Sequence, residues 1–179
     1  APNGAAQERL MRMVLRDADV QPRDVCFIEA HGTGTKLGDP IETSALAAVF
    51  GADRESDSPL YVSGLKANVG HSEACAGIAG VLAALLSLRH SHISPICNLR
   101  NLNSKVKLSV AGTPIVFPTE LTHLERCDSK RLLCGVSSFG YSGTIAHVLL
   151  EEAPEGRAKE RSATRIAAEE CEEIVLEDS

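Results

Sequence analysis

Apolar positions fall into short blocks of two periodicities, and the blocks alternate along the chain. From 5 to 18, Leu10, Met13, Val14 and Ala18 recur at helical spacing and predict a helix with one apolar face. Residues 25–30 (VCFIEA) are a compact, mostly apolar run, which predicts a short strand. A Gly-rich turn follows, His31 to Gly38. Then come Asp39, Pro40 and Glu42: an acid at the cap, proline at the first helical position and glutamate three residues on. That order predicts a helix from 39 to about 50. Residues 60–64 predict a second strand and 65–72 a loop. Residues 74–88 are apolar on every side, with Ala74, Ala76, Gly77, Ala79 and Gly80 at the start. A helix of that kind is expected to be buried, with close backbone contacts at its small residues. Residues 132–137 and 144–151 predict strands joined by a Gly-rich turn at 139–143, hence a hairpin.

Strands interleaved with helices predict an α/β fold. From Pro154 to the end the composition turns polar: eight acids and four bases stand among 26 residues of a chain whose net charge is −6. The expected division is therefore an α/β region, 1–153, and a charged linker or tail, 154–179. The chain opens Ala1-Pro2-Asn3-Gly4 without methionine, which fits a fragment of a longer protein.

Composition narrows the classes. With aromatics at 3% and no tryptophan, the core has to be built from Ala, Val, Leu and Ile. No basic patch provides an electrostatic footprint for nucleic acid. No apolar run is expected to reach the roughly 18 residues of a membrane span, and no signal segment opens the chain. Six cysteines, Cys26, Cys75, Cys97, Cys127, Cys134 and Cys171, include no C-x-x-C pair. The reading is no metal site, and mostly buried free thiols in a reducing, cytoplasmic setting.

Two decoys are set aside on spacing. Gly32, Gly34 and Gly38 give G-x-G-x-x-x-G, one residue longer than a dinucleotide-binding fingerprint. This disfavours a nucleotide-binding oxidoreductase module, which stays the remote alternative. Gly140-Tyr141-Ser142-Gly143 is not the G-x-S-x-G of a hydrolase, so Ser142 reads as a turn residue. His31 and His71 each sit at a Gly-rich junction between a strand and a helix, the edge where α/β folds place their chemistry. His90, His92 and His123 have no such setting.

Three segments resemble the beta-ketoacyl synthases, in that family's order. Glu29-Ala30-His31-Gly32-Thr33-Gly34-Thr35 with Gly38-Asp39-Pro40-Ile41-Glu42 is similar to the first histidine segment. Lys66-Ala67-Asn68-Val69-Gly70-His71, continuing to Gly77, is similar to the second. The run from Ser137 to His147 resembles the C-terminal Gly-rich turn. Pro2-Asn3-Gly4 and Leu150 to Pro154 fit the modular polyketide subtype, and the resemblance covers the chain from Ala1 to about Pro154.

The resemblance implies the thiolase fold: two similar α/β halves in an α/β/α/β/α layering, as a homodimer, with this chain mainly the second half. It implies decarboxylative condensation. An acyl group moves onto an upstream cysteine, in an Ala-Cys-Ser context that none of the six cysteines here has. A malonyl-type extender on an acyl carrier protein then loses carbon dioxide and attacks that thioester. His31 and His71 would be neutral N–H donors to the developing enolate, with Lys66 ordering His71. Thr33 and Thr35 match positions that bind the phosphopantetheine arm of the carrier; no other cofactor is implied. Phe139 and Tyr141 match the turn beside the nucleophile, Tyr141 at a gate position or packed in the core. Gly140 and Gly143 give the turn its freedom. Cys75 would be a small buried residue. Ile145 stands where the family has Asn, so its turn is expected to lose hydrogen bonds. A non-elongating homologue that binds acyl carriers is the alternative within the family.

Overall fold

The computed structural model describes residues 2–52, 54–126 and 131–154. Cys127, Cys171 and all of the expected tail beyond Pro154 lie outside those residues. A five-stranded sheet is built from β1 (Phe27–Glu29), β2 (Leu60–Ser63), β4 (Ile115–Val116), β6 (Leu133–Phe139) and β7 (Ile145–Glu151), in the order β4-β2-β1-β6-β7. All pairs are parallel except β6 with β7, which form the expected hairpin, Phe139 facing Ile145 at its closed end. Two further strands, β3 (His92–Ile93) and β5 (Thr122–His123), pair separately and antiparallel.

Helix α1 (Gly4–Asp17) starts where the Asn3 side chain accepts the Ala6 N–H at 3.0 Å. It lies with α2 (Gly38–Leu46) on one face of the sheet, over a core of Met11, Leu15, Ile28, Leu46, Phe50, Leu60 and Val62. Helix α4 (Ala76–His90) covers the other face, over Phe27, Leu88, Ile93, Leu132, Cys134 and Val136. Two short helices, α3 (Lys66–Val69) and α5 (Ser104–Ser109), lie in the connections that follow β2 and β3.

The α/β class stands, and several local expectations change. The buried stripe of α1 is Gln7, Met11 and Leu15, and Met13 is exposed. Two overlapping stripes in that sequence both satisfy helical spacing, and docking on the sheet selects the one that meets it. Residues 65–72 are not wholly loop, because α3 occupies 66–69. Helix α2 passes into a π-helical turn, Ala47–Gly51, whose Ala48 and Phe50 carbonyls accept from Arg12 and Arg54.

The largest correction concerns α4. It buries only Ala76, Gly80, Ala84 and Leu88, one residue per turn, while Ile78, Leu82, Leu85 and Leu86 stay 45–60% exposed. One sheet offers a helix one side, and no second layer among the described residues covers the other. By length and composition, residues 73–90 would suffice to cross a membrane, contrary to the expectation that no segment would. Here the helix lies on the sheet. The expected close approach is present: a Cβ on Gly77 would stand 3.1 Å from Ser138 Oγ, and one on Gly80 would stand 3.3 Å from Val136 Cγ1.

Candidate active site

Parallel strands bring their C-terminal ends to one edge of the sheet, and every element of the site starts there. His31 follows β1, the 65–71 segment follows β2, and Phe139 ends β6. The rings of His31 and His71 stand edge to face, with centroids 6.2 Å apart at 88°. The Phe139 ring lies 5.2 Å from that of His31.

Each imidazole has one nitrogen occupied by backbone. The Phe139 N–H donates to His31 Nδ1 at 3.2 Å, and the Glu73 N–H donates to His71 Nδ1 at 3.0 Å. A nitrogen that accepts carries no proton, so in both rings the hydrogen is on Nε2. Burial, reinforced by the Lys66 charge and the neighbouring His71, lowers the His31 pKa to about 4. His31 is therefore a neutral donor at neutral pH. The second contact takes an unusual backbone: Glu73 has φ +46° and Gly70 has φ +82°. A left-handed glutamate costs of order 1 kcal/mol, and here it accompanies an N–H directed at the His71 ring.

Two buried carboxylates hold the loops that carry these rings. Glu42, 4% exposed, accepts the His31 N–H at 2.7 Å and the Gly32 N–H at 2.9 Å. Glu29, equally buried, accepts the Leu65 N–H at 2.7 Å. Burial pushes both up to about 7, against the opposing pull of their backbone donors and Lys66. The Lys66 ammonium is lowered by its own burial and supported by the charges of Glu29 and Glu42.

These contacts correct the reading of the 39–42 segment as a capping box. Helix α2 has no side-chain cap; the Asp39 carboxylate accepts the Thr35 N–H at 3.2 Å, and Glu42 turns back to the histidine loop. Thr35 Oγ1 accepts the Gly38 N–H at 3.0 Å, which leaves its O–H for another partner; Thr33 is half-buried beside it. At the hairpin turn the Gly140 N–H donates to the Thr144 carbonyl at 2.7 Å, and Gly143 has φ +102°. Tyr141 at its tip is fully exposed, so it does not pack in the core. Ile145 is half-buried opposite Phe139. Cys75 is exposed rather than buried, as is Cys97; Cys26 is half-buried and Cys134 buried. Mostly buried thiols were expected, and two of these four are on the surface. Among the described residues no group of His, Cys, Asp and Glu could hold a metal ion.

Sequence reasoning assigned no role to Glu29 and gave the carboxylate of Glu42 only that of a helix cap. A signal was present: a lone acid inside the apolar run VCFIEA is rarely buried without a partner. It also passed over His147. That ring is buried on β7, with Nδ1 3.0 Å from Ser137 Oγ and Nε2 without a partner among the described residues. Burial lowers its pKa from 6.5 to about 4. The unfolded chain therefore binds this proton more readily, so His147 favours unfolding increasingly as pH falls from 6.5 toward 4. Glu29 and Glu42 act in the opposite sense, since below pH 7 they hold their protons better in the fold. A comparison with His147→Gln isolates the histidine. Between pH 7 and 5 the variant should lose about 2 kcal/mol less stability than the unaltered protein, read from urea midpoints.

A mostly parallel sheet between helical layers, with two histidine loops and a Gly-rich hairpin at one edge, is a thiolase-like ketosynthase arrangement. Residues 1–100 match the beta-ketoacyl synthase C-terminal domain, and the chain belongs to that family. It is 43% identical over 155 residues to erythronolide synthase EryA3 of Saccharopolyspora erythraea, spanning 87% of this chain and 5% of that protein. It is 42% identical over 152 residues to 6-methylsalicylic acid synthase of Penicillium patulum, spanning 85% of this chain and 8% of that one. Among solved structures, the ketosynthase from module 6 of the bacillaene synthase of Bacillus subtilis 168 superposes with a TM-score of 0.78 at 34% identity. That match covers 99% of this chain and 34% of the other. The chain thus spans a small part of these synthases and about a third of a solved ketosynthase.

Proposed function

We propose that this chain is the histidine-bearing part of an elongating ketosynthase, which condenses an enzyme-bound acyl thioester with a malonyl-type extender on an acyl carrier protein. The observation that carries the reading is the pair of imidazoles at one sheet edge, each with Nδ1 occupied and Nε2–H without a partner among the described residues. Loss of carbon dioxide moves charge onto the extender's thioester oxygen, and two N–H donors aimed at that oxygen stabilise the enolate. A neutral donor suits the step, because an imidazolium could pass its proton to the enolate and quench it. On this reading the phosphopantetheine arm of the carrier enters past Thr33 and Thr35, and the complete protein works as a cytoplasmic homodimer.

The acyl-accepting cysteine would come from the rest of the parent protein, since no cysteine here lies in an Ala-Cys-Ser context. Covalent acyl transfer needs that nucleophile, so the chain alone should not condense. The exposed row Ile78, Leu82, Leu85 and Leu86 supports the same view, since apolar surface of this kind is ordinarily covered.

The test is carbon dioxide release from a malonyl carrier thioester by the complete ketosynthase, with and without an acyl donor. Release and condensation in the intact protein, both lost when His31 and His71 are replaced, are expected. Carrier binding with no release would instead identify a non-elongating homologue.

A further inference from the structure

Glu29 is the last residue of β1, two positions before His31, yet its side chain serves the other histidine loop. Its Oε1 accepts the N–H of Leu65, the residue at which the 65–71 segment leaves β2. Glycine at position 80 makes room for this from above. A Cβ there would stand 3.4 Å from Glu29 Cγ, so α4 packs closely against the glutamate side chain. The Lys66 ammonium is coupled electrostatically to Glu29 from β1, Glu42 from α2 and the His31 ring; His71 closes the lysine's own segment. A second anchor acts without charge. Asn68 donates from Nδ2 to the Pro95 carbonyl and accepts the Cys97 N–H, both at 3.0 Å, fixing α3 to the loop at 95–97.

We infer that Glu29 is a positioning residue for Lys66 and His71. Its carboxylate fixes the head of their segment through the Leu65 N–H and supplies counter-charge to the Lys66 ammonium. Charge and hydrogen bond are separable in Glu29→Gln, which keeps an acceptor oxygen for Leu65 and removes the charge. What the ordered segment does for catalysis rests on the ketosynthase reading; the state of Lys66 does not.

The experiment is competitive acetylation of Lys66 across pH 7–11, read by peptide mass spectrometry in the complete ketosynthase. Glu29→Gln should lower the midpoint of Lys66 by about one pH unit, because an opposite charge that favours the ammonium has gone. Asn68→Ala, which loosens the same segment without changing charge, should leave the midpoint in place. Glu29→Asp keeps the charge but falls a methylene short of the Leu65 N–H. It should hold the midpoint near that of the unaltered protein while lowering kcat for carbon dioxide release about tenfold, with KM for the carrier thioester unchanged. An unmoved Lys66 midpoint in Glu29→Gln would overturn the inference, as would equal shifts in Glu29→Gln and Asn68→Ala. Should Glu29→Gln fail to fold, an Asp variant with unaltered kcat overturns it. If the unaltered protein releases no carbon dioxide, the elongating reading fails, and the Lys66 titration still decides the role of Glu29.

Discussion

Replacing His31 by alanine in the complete ketosynthase is expected to slow carbon dioxide release by about 10²–10³-fold, with carrier binding little changed. That is the usual cost of removing one preorganised donor to a developing oxyanion, about 3–4 kcal/mol. The geometry makes a sharper prediction. The Phe139 N–H occupies Nδ1 of His31, so the donor is Nε2. A glutamine amide reaches the Nε2 position and an asparagine amide the Nδ1 position. His31→Gln should therefore recover part of the lost rate, whereas His31→Asn should resemble alanine. The same order is expected at His71, whose Nδ1 is occupied by the Glu73 N–H. In the proposed mechanism the two donors serve one oxygen, so the double alanine variant should lose less than the product of the single losses. Recovery by asparagine rather than glutamine would place the working proton on Nδ1 and contradict the arrangement described.

Substituting Glu42 by leucine is expected to produce the largest loss of stability. The carboxylate is buried and accepts two backbone N–H groups, those of His31 and Gly32. Leucine fills similar volume and leaves both donors without a partner. Each buried unsatisfied donor costs about 1–3 kcal/mol, so a loss of about 3 kcal/mol or more is expected in the urea-unfolding midpoint. Carbon dioxide release should fall further than stability explains, since the His31 loop has lost its tether. Glu42→Gln keeps one acceptor oxygen and should be intermediate in both measures. Equal stability of the leucine variant and the unaltered protein would show that those N–H groups find other acceptors.

Much of the site is legible in the order of residues. The motifs around His31, Lys66 and His71 are contiguous, and their Gly-rich junctions identify sheet-edge loops from local pattern alone. The α/β class and the hairpin are equally readable, because strand and helix periodicities differ and the turn at 139–143 is short. The two-residue strands β3, β4 and β5 are not, since two residues carry no period. The face of α1 fails for the opposite reason: its apolar arc is wide enough to hold two stripes, and only the sheet chooses between them. Burial of α4 is overstated by its composition because hydrophobicity reports what a segment can bury, whereas the layers present decide what it does bury.

The glutamates mark the boundary between the two kinds of information. Within the sequence Glu42 has the spacing of a helix cap, and that local rule is reasonable. In the fold it turns toward His31, because that loop offers two N–H donors in a buried place and an exposed helix end can be satisfied by water. Glu29 pairs with a backbone group 36 residues away, a contact that no local pattern encodes. Residue order alone names the two histidines and the lysine and the junctions on which they sit. Folding settles which nitrogen of each histidine is occupied, which carboxylate holds which loop and which helix face remains open. Those outcomes depend on burial and on partners distant along the chain, and both exist only once the sheet has assembled.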